Sequence, residues 1–180
     1  MVVRNSLRRW ELVGFLFVCA VGTLLQYLFR WSGENTFVAA FSAVNESTWE
    51  HMKMLFVPYF IFTMLEYPPF AEPFRNYFAA KAAAGLAGTL TIPILFYTIG
   101  GMFGTPPTWV NIAIFYVSAA LMYLLGYRLL TAQALRGRAL QPVGFLLLWG
   151  LMFLFVLFTY RTPVLPLFRD PMGGGYGLAA

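Results

Sequence analysis

The sequence predicts a single all-α bundle, a polytopic membrane protein with five transmembrane helices. Three observations predict it. Of 180 residues, 60% are hydrophobic and 11% are charged, where a soluble domain carries about 25% charged residues. The apolar residues fall in runs close to the ~20 residues that cross a ~30 Å hydrocarbon layer, and not in amphipathic stripes. Trp and Arg residues flank those runs, as membrane anchors do.

Span 1 covers residues 12–29, between Trp10 and Trp31. Arg4, Arg8 and Arg9 precede it, so a signal peptide is the competing reading. The run is longer than a usual signal core and no A-x-A site follows, which favours a retained span. Residues 36–44 are apolar but too short to cross. They read as an interfacial or re-entrant piece, tolerated only where protein or a cavity shelters it.

Span 2 covers residues 45–65. Its apolar part, Met54 to Leu65, is only about a dozen residues, or ~18 Å of helix. The span therefore has to begin near Asn45 and draw polar residues into the headgroup level. Ser47-Thr48-Trp49-Glu50 fits the capping-box pattern that starts such a helix. Pro58 should kink it, and the Pro-rich stretch from Tyr67 to Pro73 should end it.

Span 3 covers residues 79–103. Its first half is nearly all Ala and Gly, a face suited to close helix packing or to a homo-oligomer contact. A charge-free turn, Gly100 to Pro107, leads to span 4, residues 109–130. Span 5 covers residues 143–160 and is rich in Leu and Phe, as a lipid-facing helix is. Residues 161–180 form a Pro- and Gly-rich tail. The whole chain, 1–180, makes one membrane domain.

Five spans put the termini on opposite sides. With the N-terminus cytoplasmic, eight basic residues lie inside: Arg4, Arg8, Arg9, Arg75, Lys81, Arg128, Arg136 and Arg138. Four lie outside: Arg30, Lys53, Arg161 and Arg169. That asymmetry satisfies the positive-inside rule and indicates a cell (inner) membrane protein with an extracytoplasmic tail. Its natural partner is the lipid bilayer. The net charge of +5 does not indicate nucleic acid, because the arginines serve orientation. The single Cys19 permits no internal disulfide.

Function concentrates in the polar start of span 2. Glu46, Glu50 and Lys53 share one helical face, and Ser47 and His51 share the next. Charges at such depth are expensive and mark a site by default. Asn45, Glu46, Ser47, Glu50, His51 and Lys53 are the candidate ligand-binding residues. Arg169, Asp170 and Tyr176 join them if the tail folds back as a lid over the same outer side. Gln26, Arg30 and Asn111 also lie on that side.

Four readings are open. The cluster binds, and passes, a small cation or polar solute. Alternatively Glu46, Glu50 and His51 ligate a divalent metal, the one cofactor the residues suggest. A third reading is an enzyme acting on a lipid-soluble substrate, with His51 as acid or base and Ser47 as nucleophile. The fourth is architectural, an acid paired with Lys53, Arg169 or Arg30. No reaction is assigned from the residues. Glu66, Glu72, Arg75 and Lys81 read as the cytoplasmic cuff of a hairpin.

Two stretches carry a resemblance. Phe41-Ser42-Ala43-Val44-Asn45-Glu46-Ser47-Thr48-Trp49-Glu50-His51-Met52-Lys53 is similar to the F-S-P-V-N-E-S-x-W-E-H-L-K signature of small bacterial and archaeal integral membrane proteins, a family of unknown function. Thr162-Pro163, Pro166 to Pro171 and Tyr176-Gly177 resemble that family's C-terminal pattern. The chain departs at Ala43, where Pro is expected, and at Gly173, where Thr is usual. The resemblance implies one polytopic unit whose polar motif and tail are its marked parts. It implies no activity.

Overall fold

The computed structural model describes residues 2–104 and 106–179. Met1, Ala180 and Thr105, a residue of the expected charge-free turn, lie outside the described residues. The described residues form six α-helices and two short 3₁₀ turns. The helices are α1 (Val2–Trp31), α2 (Thr36–Ala39), α3 (Thr48–Phe70), α4 (Tyr77–Phe103), α5 (Thr108–Ala132) and α6 (Leu140–Tyr160). The 3₁₀ turns are Pro166–Phe168 and Gly177–Ala179.

Four helices, α1, α4, α5 and α6, are long and apolar enough to cross a membrane. The sequence reading had five spans. The difference is α3, which at 23 residues is long enough but not apolar enough. Glu50, His51 and Lys53 crowd its first turns and Glu66 sits near its end. Its start is also later than expected: Asn45, Glu46 and Ser47 precede the helix. Nor do the prolines end it at Tyr67, because Pro68 and Pro69 lie within the last turn.

Local chemistry explains the boundaries. Ser47 caps α3, its hydroxyl accepting from the Glu50 amide at 3.4 Å. Only half of the expected capping box forms, because the Glu50 carboxylate turns to other partners. Asn35 caps the single turn of α2 by accepting from the Phe37 and Val38 amides. After α1 the chain reverses through Gly33, whose φ of +69° favours glycine. There the Glu34 amide donates to the Phe29 carbonyl at 3.0 Å, a left-handed helix stop.

The five long helices run up and down, so the bundle has two ends. The amino end gathers the starts of α1, α4 and α6 with the finishes of α3 and α5. The tail end gathers the opposite termini, α2 and the C-terminal segment. α3 touches all four other long helices, while α4 packs on α3, α5 and α6. Its small residues make this possible. A Cβ on Gly88 would stand 2.5 Å from Met122 Cβ, so α4 and α5 touch nearly backbone to backbone. Gly85 instead makes room for the Tyr59 ring of α3, whose Cε1 would lie 2.8 Å from a Cβ there. Of the small residues of this stretch, Ala82, Ala84, Gly85 and Gly88 are buried, while Ala83 and Ala87 are half-buried.

The main apolar core runs along α3 and includes Phe56, Tyr59, Ala119, Met122 and Phe155. A smaller cluster closes the amino end around Leu7, Phe70, Tyr77 and Leu130. There Asn76 donates to the Leu129 and Ala134 carbonyls at 2.9 and 2.7 Å, satisfying the frayed end of α5. Glu66 and Lys81, expected on a cytoplasmic cuff, are instead fully buried at this end. Glu72 and Arg75 are exposed.

Candidate functional site

The site is built by the turn between α2 and α3. Asn45 makes that turn. Its Oδ1 accepts from the Ser47 amide at 2.9 Å, a local bond that asparagine side chains favour. Its Nδ2 donates to the Gly177 carbonyl at 3.0 Å, which ties the tail to the turn. With Asn45 and Ser47 so engaged, Glu46 projects toward α1. Gln26 Nε2 donates to Glu46 Oε1 at 2.6 Å.

His51 lies one turn into α3. Its Nδ1 is 2.9 Å from the Ser47 carbonyl. A carbonyl only accepts, so Nδ1 carries the proton in that bond. When the ring is neutral, Nε2 then presents a lone pair. That atom is 3.8 Å from Glu46 Oε2. The imidazole and the Glu46 carboxylate therefore converge on one point, both from half-buried side chains.

They open into a cavity of about 620 Å³. Its polar wall comes from Thr23, Gln26, Glu46, His51, Asn111 and Asp170. Its apolar wall comes from Met54, Ile92, Phe96 and Phe115. Gly22 makes room: a Cβ there would strike Phe115 Cζ at 2.5 Å. Asn111 Oδ1 is buried with no protein partner. Among the ionisable wall residues, Glu46 and Asp170 oppose one guanidinium, that of Arg30. A smaller cavity of about 380 Å³ adjoins it and shares Thr48, Phe96, Asp170 and Pro171.

A model for a family of unknown function, DUF6512, matches residues 1–178. The chain belongs to this family. No curated protein and no solved structure matches it. The site of this DUF6512 protein therefore has to be read from its own residues.

Apart from Arg169 and Tyr176 of the tail, the expected site residues divide into three groups. Glu46, His51 and Asp170 line the main cavity. Asn45 and Ser47 hold the turn. Glu50 and Lys53 point away from the cavity, into the protein. Lys53 Nζ is 2.6 Å from Glu50 Oε2 and also donates to the Ala39 carbonyl and the Thr159 hydroxyl, each at 2.9 Å. Glu50 Oε2 further accepts from the Val44 amide at 3.1 Å. Glu50 therefore shares no pocket with Glu46, although both precede Lys53 on one expected face. Glu46 lies before the helix and escapes its periodicity.

Two chemical readings lose their geometry. Glu46, Glu50 and His51 do not gather as metal ligands, and no group of three or more His, Cys, Asp or Glu does so among the described residues. Ser47 is no partner for the His51 ring, which bonds its backbone carbonyl while its hydroxyl caps α3.

The tail packs over the same end. Phe168 sits 4.7 Å from Trp49 and 5.6 Å from Phe158, centroid to centroid. Arg169 and Tyr176 form an isolated antiparallel bridge. The Asp170 amide donates to the Gly175 carbonyl at 3.0 Å. Asp170 Oδ1 accepts from the Met172 amide at 2.8 Å, leaving the carboxylate at the cavity wall. Arg169 lines the smaller cavity.

Sequence reasoning missed Glu11, Glu66 and Lys81, which meet inside the amino end. A usable signal was present. Lys81 lies within a run of alanines, and an ionisable residue within an apolar helix is functional or paired by default.

Proposed function

We propose that this DUF6512 protein is a multi-pass protein of the cell (inner) membrane that binds a small cationic or polar solute in its outer-leaflet cavity. In this reading α3 crosses as a fifth span, the N-terminus is cytoplasmic and the tail is extracytoplasmic. The supporting observation is the convergence of His51 Nε2 and Glu46 Oε2 at 3.8 Å in the wall of the cavity. With the His51 ring neutral, the two atoms are both acceptors and favour a donor between them, such as an ammonium or amide group. Asn111 lines the same cavity, and its Oδ1 is buried without a protein partner.

Size argues for an organic solute over a bare ion. A cavity of about 620 Å³ falls in the range of ~300–1,000 Å³ used for small molecules. Its apolar wall suits a solute with a short hydrocarbon part. Translocation is the further step of the same reading. It requires the solute to leave the cavity past Met54 and Phe115 toward the amino end.

The test is a thermal-shift screen of the purified protein against amines, amino acids and divalent cations. A binder at a hundredfold excess over its Kd adds about 2.7 kcal/mol of stability. We expect an amine-bearing solute to stabilise the wild type, and Glu46→Gln and Asn111→Leu to abolish the gain. A shift that persists in both variants, or no shift with any solute, defeats the proposal.

A further inference from the structure

A second polar cluster occupies the amino end, and the cavity does not reach it. Lys81 of α4 donates to Glu11 Oε1 of α1 at 2.8 Å and pairs with Glu66 Oε2 of α3 at 2.5 Å. Lys81 and Glu66 are fully buried and Glu11 is 5% exposed. Glu50 and Glu66 are sixteen residues apart on α3, so this cluster sits ~24 Å from the tail-end pair.

Charge does not balance there. One ammonium faces two carboxyl groups. The arginines at this end of the packed elements, Arg4, Arg8 and Arg9 of α1 and Arg128 of α5, are exposed and make no ion pair with either acid. α3 brings Tyr59, whose hydroxyl donates to the Lys81 carbonyl at 2.7 Å. α4 brings Tyr77, whose hydroxyl is 3.0 Å from Glu66 Oε2. α5 brings Tyr123, whose ring centroid is 5.6 Å from Lys81 Nζ. α6 carries no charged residue. Two ionised carboxylates would leave an excess charge of −1 in a buried interior, where an uncompensated charge normally neutralises.

A second observation shows where neutralisation can occur. Glu11 Oε2 and Glu66 Oε1 are both buried without a protein partner, and so is the Tyr123 hydroxyl. Each carboxyl uses one oxygen on Lys81 and leaves the other free. α5 walls the Glu11 carboxyl closely: a Cβ on Gly126 would lie 3.8 Å from both of its oxygens. Lys81 already fills the space between the two acids, and its charge repels a metal ion. A proton needs no such space.

We propose that Glu11 and Glu66 form an intramembrane proton-binding site, sharing one exchangeable proton around the Lys81 ammonium. On loading, a hydronium ion gives its proton to one free carboxyl oxygen. An O–H bond forms, the carboxylate becomes a carboxylic acid and water is released. The cluster goes from −1 to neutral. The proton belongs to the pair, so removing either acid removes the need for it. This site does not depend on the solute reading of the tail-end cavity.

The test follows the carboxylic-acid C=O band of the full-length protein in nanodiscs by infrared difference spectroscopy as pH rises. We expect one titrating band in the wild type, retained in Glu46→Gln. The same band should vanish in Glu11→Gln and equally in Glu66→Gln. Absence of the band in the wild type overturns the proposal, as does its survival in either of those two variants. If either variant fails to fold, the wild type is treated with a hydrophobic carbodiimide, which attacks protonated carboxyls, and then digested. An adduct on Glu11 or Glu66 that declines as pH rises supports the site. Adducts confined to other acids overturn it.

Discussion

The Lys53 ammonium lies 2.6 Å from Glu50 Oε2, and neither side chain reaches solvent. With the Ala39 carbonyl and the Thr159 hydroxyl as its other acceptors, all three ammonium protons are used. One side chain thus fastens α2, α3 and α6 together.

Lys53→Met should cost about 3–5 kcal/mol, because it strands a buried carboxylate. Glu50→Leu strands the ammonium and should cost a similar amount. The double variant should be more stable than either single one, since no charge is then left unpaired. Thermal unfolding of the four proteins in detergent measures the coupling. Simple addition of the two losses would show that the pair is not a unit.

Phe168 holds the tail. It is 4% exposed and wedged against Trp49 and Phe158. Phe168→Ala should free the tail at a cost of about 3–5 kcal/mol in local docking energy. Global melting should move little, because the segment is terminal and opens by itself. The readout is faster amide exchange over residues 169–178 and protease cleavage in the Gly173–Gly175 run. Unchanged protection there would mean that other contacts, such as Asn45 to Gly177, are sufficient.

The crossing of α3 is open to a labelling experiment. In a Cys19→Ser background, Asn5→Cys and Met172→Cys place thiols near the two termini, at exposed positions. Five crossings predict that an impermeant thiol reagent labels them from opposite faces of the membrane. Labelling of both from the same face would leave four crossings and return α3 to one side.

Much of this architecture was legible in the chain. Apolar runs of spanning length reveal where the long helices lie, because lipid demands that every backbone bond be made within the helix. Asn45 to Lys53 also stood out, since polar residues seldom gather beside such runs. The stretch was over-read in one respect. Helical periodicity put Glu46 on a face with Glu50, while the Ser47 cap starts the helix after Glu46 and sends the two acids apart.

The amino-end cluster shows the reverse. Glu66 and Lys81 stand at either end of a polar hairpin, so composition places them at a membrane surface. Glu11 is 70 residues from Lys81. Nothing local in the sequence indicates that α1 delivers this carboxylate to an ammonium on α4.

By itself the sequence determined that the protein is all-helical, apolar and marked by one polar motif, because those properties follow from spacing and composition along the chain. The tertiary structure alone decided which charges are closed and which are open. Glu50 is spent on Lys53, Glu46 and His51 face a cavity, and two acids share Lys81. The physical reason is that the energy of a charge depends on what surrounds it in three dimensions. Glu50 and Lys53 pair within one helix, while Glu11, Glu66 and Lys81 find their partners across three.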